Sequence, residues 1–152
     1  MADQGGEPSP APTGQGFGRV LVAVYGLFAL AATARSAVQL ATNFSAAPLA
    51  YLLSAFSAVI YLVATVSLAR GDRTSRRVAT VAISIELVGV LVVGAASELF
   101  PDAFPDATVW TGFGSGYGFV PLVLPLVGLW WLRHTRAAGG GGLTNRHAGA
   151  DD

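Results

Sequence analysis

The chain has no cysteine, no lysine and only two histidines among its 152 residues. Without cysteine, disulfides, thiolate metal sites and cysteine nucleophiles are excluded. His134 and His147 both lie beyond the last apolar run, so no histidine is placed to activate the serines and threonines within those runs. An enzyme is therefore not expected. Charge is scarce as well: 12% of residues are charged and 53% hydrophobic, with mean hydropathy +0.56. A soluble domain carries about 25% charged residues. No charge occurs from Ser36 to Ala69, nor from Ala107 to Leu132. Apolar runs of about 20 residues are read as membrane spans, and both stretches are long enough, so the composition implies an integral membrane protein. All nine basic residues are arginine, in the tails as well as the spans, which points to genome composition.

The polar, Pro- and Gly-rich segment "MADQGGEPSPAPTGQGFG" (1–18) cannot bury enough apolar surface to offset its ordering entropy, and the segment 134–152 is similar. Both are expected to be disordered tails. Between them (19–133) the pattern predicts an all-α, four-helix transmembrane bundle, with spans at about 19–41, 48–69, 78–99 and 112–132. The connections "TNFSAA" and "RGDRTSRR" are short, so the first three helices should be antiparallel neighbours. Gly71 suits a helix stop and Thr74 or Ser75 a helix cap.

Arginine placement sets the orientation. Arg19, the cluster Arg70, Arg73, Arg76 and Arg77, and then Arg133 and Arg136 all fall on one side of a four-span chain. The opposite loops hold no Arg but carry Glu98, Asp102 and Asp106. Cytoplasmic loops concentrate basic residues, so both termini are expected in the cytoplasm, in a bacterial inner membrane. Trp110 outside and Trp130–Trp131 inside match interfacial aromatic belts. An alternative reading takes Val20–Leu30 as a signal-peptide core with Ala32-Thr33-Ala34 as its cleavage site, which would leave three spans. The long, acidic segment ahead of it argues the other way.

Two charges fall inside spans, Arg35 and Glu86. Each costs about 2.5–3.5 kcal/mol at the bilayer centre, so each should turn inward and find partners. At about 1.5 Å per residue, Arg35 lies about 7 Å outside the midplane and Glu86 about 3 Å inside it. Glu86 shares a helix face with Ala79, Ala82 and Gly89, small residues that permit close helix approach. Tyr61 falls at the depth of Glu86, and a Tyr61–Glu86 hydrogen bond is expected. Arg35 can reach Glu86 or turn outward toward Glu98. In the outer loop, "FPDAFPDA" (100–107) repeats every four residues, which would put Phe100 and Phe104 on one side of a turn and both aspartates in water. Two carboxylates are too few for a calcium site, so no metal is expected.

The stretch "TGFGSGYGFVPLVLPLVGLWW" has glycine at every second position from Gly112 to Gly118. Phe119–Leu132 makes only about 21 Å of helix, short of a hydrocarbon core of about 30 Å. The fourth span must then draw on the glycines, with a break or kink expected at Pro125. The GYG tripeptide resembles a potassium-channel filter, but the Thr-Val before it and a preceding pore helix are missing. Alternate glycines also miss the G-x-G-x-x-G spacing of dinucleotide sites, and no cofactor is expected. Packing is the better account: side-chain-free positions press against neighbouring helices, with unwound carbonyls and the Tyr117 hydroxyl available to Arg35. Arg35, Tyr61, Glu86 and Tyr117 thus form the candidate intramembrane polar cluster.

The phrases "VYGLFALAATARSAVQLAT", "PLAYLLSAFSAVIYLVATVSLAR", "ELVGVLVVG" and "GYGFVPLVLPL" together resemble the small four-span integral membrane proteins of high-GC Gram-positive bacteria. That family carries no assigned activity, so the resemblance implies a four-helix inner-membrane fold and transfers no functional residue. The expected role is a structural or accessory membrane subunit or scaffold. Its partners would be the bilayer and either a second copy or another membrane protein, with no nucleic acid. The alternative is a small oligomeric transporter or proton-coupled carrier using Glu86 and Arg35.

Overall fold

The computed structural model describes residues 13–139, and the side chains of 16–136. Those described residues are all-α: α1 (Thr13–Thr42), α2 (Pro48–Arg70), α3 (Arg73–Leu99) and α4 (Val120–Gly139), with short 3₁₀ turns at Phe44–Ala46, Pro101–Ala103 and Thr111–Tyr117. Three of the helices, α1 to α3, are long and apolar enough to cross a membrane; a fourth crossing is counted if Thr111–Tyr117 and α4, bent by 97° to each other, are taken as one span. The chain is built as a multi-pass membrane protein. Large apolar side chains such as Leu27, Leu30, Val59, Val81, Val88 and Val92 point outward along these helices. Water would penalise such a surface, and lipid does not.

Helix ends follow local chemistry. Pro48 opens α2 at its first turn, where its missing N–H costs nothing. Gly71, at φ 70, closes α2 in the left-handed region, with its N–H donating to Ser67 O at 3.3 Å. The cap of α3 is Asp72 rather than Thr74 or Ser75: its carboxylate accepts from Ser75 N at 3.1 Å and Ser75 Oγ at 2.5 Å. Helix α3 therefore begins at Arg73, five residues ahead of the expected start at Val78. These bonds, the Ser75 hydroxyl first, hold the Asp72 carboxyl below its ordinary pKa.

The expected tails are also shorter. Residues 13–18 continue α1 and residues 134–139 continue α4, while 1–12 and 140–152 lie outside the described residues. Tertiary packing overrides the poor helix propensity of Gly16 and Gly18: Phe17 sets its ring edge-on to Trp130 at 6.3 Å, and Gly18 lies directly beneath the Trp131 ring.

Helix α1 packs on α2, α2 on α3, and α3 on both α4 and the glycine-rich segment, while α1 meets α4 along a narrow edge. The core holds Tyr25, Tyr61, Ile83, Glu86, Val90 and Trp110, all essentially inaccessible. The glycines are not helix-packing positions of a fourth span. Gly112, Phe113 and Gly114 have φ of 56°, 60° and 80°, and Gly118 and Phe119 have 62° and 59°. The stretch is a short 3₁₀ segment with left-handed residues at both ends, set nearly at right angles to α4. The break falls at Gly118–Phe119, and α4 runs on through Pro125 as one helix. Pro125, the sixth residue of α4, leaves the Pro121 carbonyl without its usual i+4 donor, yet the helix continues to Gly139.

Candidate functional site

Glycines on α3 shape the site. A Cβ on Gly89 would lie 2.6 Å from the Trp110 ring, and one on Gly94 2.5 Å from the Phe113 ring. These two gaps receive aromatics of the α3–α4 connection. Trp110 is steered inward by a compact turn, in which Thr108 Oγ1 accepts from Trp110 N and Thr111 N, both at 3.1 Å. Trp110 is thus a core residue, 1% exposed, and not the interfacial anchor the sequence suggests. Phe100 and Phe104 also part company: Phe100 is exposed, whereas Phe104 packs against the core. Asp102 stays exposed, but Asp106 accepts from Tyr51 OH at 2.7 Å.

The four candidate residues do not form one cluster. Glu86 is fully buried, and its Oε2 accepts from Tyr25 OH at 2.8 Å. Tyr61 accepts from Trp110 Nε1 at 3.2 Å, which leaves its own O–H directed at Glu86 as expected, but the 2.8 Å bond to the carboxyl comes from Tyr25. Glu86 Oε1 has no partner. Arg35 turns the other way. Its Nη1 donates to Tyr117 OH at 3.0 Å and its Nη2 to Ala107 O at 2.7 Å. The expected carbonyl and Tyr117 roles both hold, although the carbonyl comes from the loop ahead of the glycines. Neither Glu86 nor Glu98 pairs with Arg35.

Phe28 divides the two halves. Its ring lies 5.6 Å from that of Tyr61 and 5.9 Å from that of Tyr117, tilted against both, so a run of aromatic contacts, not a hydrogen-bond chain, connects Glu86's surroundings to Arg35. Tyr25 went unread in the sequence, yet a signal exists: Leu21, Tyr25, Ala29 and Ala32 recur at helical spacing and form the buried stripe of α1. Gly128 on α4 leaves the Tyr25 hydroxyl room, its missing Cβ standing 3.4 Å away.

Of the basic cluster, Arg70, Arg73 and Arg77 are exposed, and Arg76 is structural. Its guanidinium donates to Leu132 O at 3.2 Å and to Thr135 Oγ1, and lies over the Trp131 ring at 5.7 Å. Among the described residues no three His, Asp or Glu side chains converge to hold a metal ion. No family model, curated protein or solved structure matches the chain. The geometry alone therefore carries the functional reading.

Proposed function

We propose that the protein is a non-enzymatic accessory or scaffolding subunit of a bacterial inner-membrane assembly, crossing four times with both termini cytoplasmic. The arginine distribution supports that orientation. One observation carries the role. Helix α1 is the least covered of the three clear spans, and Val20, Ala23, Leu27, Leu30, Ala34, Ala37 and Ala41 are all exposed along it. Their alternating three- and four-residue spacing is the seam of left-handed helix packing, and its outer half is alanine, which lets another helix approach closely. A second copy or another membrane protein would seat there.

The absence of cysteine makes the test clean. Ala34→Cys, oxidised in native membranes, should cross-link to a second chain or to a partner, whereas Val81→Cys on the lipid-facing side of α3 should not. Equal cross-linking at both positions would refute docking on α1.

A second reading rests on Glu86, which is fully buried with one oxygen unpartnered. That oxygen is a place for a proton, as a small proton-coupled carrier would need. The Phe28 barrier toward Arg35 weighs against a continuous path. Full cellular function in a Glu86→Gln strain would remove this reading.

A further inference from the structure

A groove of about 290 Å³ lies between α2 and α3 on the lipid-facing side. Its floor is Ile60 and the small Ala82, both buried, and its walls are the more exposed Val63, Val81 and Ile85. Val78 and Arg77 form its mouth. Depth gives the groove its meaning. From Arg77 to Ile85 the helix rises about 12 Å, close to half of a hydrocarbon core of about 30 Å. The groove thus runs from headgroup level to near the bilayer centre, one leaflet deep, with a guanidinium at the level of the phosphates.

We propose that this groove holds one acyl chain of an anionic phospholipid from the leaflet facing the Arg70–Arg77 loop, with Arg77 binding its headgroup phosphate. A second helix is the poorer occupant. The walls are branched, without the small residues that helix contacts use. Arg77 is the arginine that lines the mouth, whereas Arg76, one residue away, is committed to α4. The proposal is independent of docking on α1, since the groove lies on the α2–α3 pair.

The test is lipid retention by the full chain in non-ionic detergent, measured by native mass spectrometry. The probes are phosphatidylglycerol and phosphatidylcholine with identical acyl chains, and inorganic phosphate. One phosphatidylglycerol should be retained per chain, about fivefold more tightly than phosphatidylcholine, the preference one arginine near the surface supplies. Arg77→Gln should abolish that preference, and Arg73→Gln, in the same loop but outside the groove, should keep it. Val81→Trp should displace both lipids by filling the groove from its exposed wall. Equal retention of the two lipids, equal weakening by Arg73→Gln and Arg77→Gln, or displacement of the lipid by inorganic phosphate would overturn the proposal. Should Val81→Trp fail to purify, the two arginine variants decide between these outcomes alone.

Discussion

Tyr25 and Tyr61 stand with their rings 6.3 Å apart in the same buried layer as Glu86, and each serves a different partner. Tyr25 donates to the carboxyl, while Tyr61 accepts from the indole of Trp110. Tyr25→Phe removes the 2.8 Å hydrogen bond to Glu86 Oε2, while Oε1 already has no partner. That should destabilise the detergent-solubilised protein by about 1–3 kcal/mol. In a Glu86→Gln background the same change should cost less, a difference a double-mutant cycle of thermal unfolding would measure. Depth along the helix, which sequence supplies through a constant rise, correctly brings Tyr61 to the level of Glu86. It says nothing about rotation around the axis, and rotation is what gave the bond to Tyr25. Arg35 shows the complementary case. Its bond to Tyr117 and its need for a carbonyl were legible, though not that Ala107 supplies it, because a guanidinium and irregular backbone each need polar partners at membrane depth.

Between elements, space rather than propensity sets the pattern. Gly89 and Gly94 lie within a helix yet are slots for Trp110 and Phe113. Alanine at either position should cost about 1–3 kcal/mol by overpacking, although alanine is the better helix former. Gly116→Ala, where an added Cβ meets nothing within 4 Å, should be neutral in the same melting assay. Gly116 is thus not the packing contact that alternate glycines suggest. The α3 cap makes a pH-dependent prediction. Asp72 is held below its ordinary pKa in the folded chain, so its cap stabilises fully above the unfolded carboxyl pKa and is lost as pH falls through the folded one. Asp72→Ala should therefore lower the melting temperature at neutral pH and change little in strong acid. The α2–α3 turn was half legible: Gly71 as the stop follows from its left-handed φ, but a choice among Asp72, Thr74 and Ser75 depends on which oxygen reaches the first free N–H groups.

At the scale of the molecule, polar groups lie inside and branched apolar side chains outside, the arrangement a lipid solvent permits. Washing membranes with alkaline carbonate should leave the protein in the pellet, and release without detergent would contradict a spanning fold. The fourth candidate span separates two levels of description. Sequence arithmetic finds Phe119–Leu132 too short to span and recruits the glycines as a straight extension. The structure turns those glycines through 97° and lengthens the helix at its other end, to Gly139. Three positions of the stretch at positive φ, Gly112, Gly114 and Gly118, are glycine, which reaches that region without steric cost, and a helical reading of the stretch ignores that freedom.

Composition, run length and the siting of arginine were enough to determine the solvent, the helical class, the approximate limits of α2 and the two charges within spans that need partners. Those properties depend on each residue's own transfer free energy and on its neighbours along the chain. Only the tertiary structure decided that Arg35 and Glu86 stay apart, that Tyr25 serves the carboxyl, that Trp110 enters the core and that the glycines bend the chain. Each of these outcomes turns on the azimuth of one helix against another and on gaps such as Gly89 and Gly94, and neither is encoded locally.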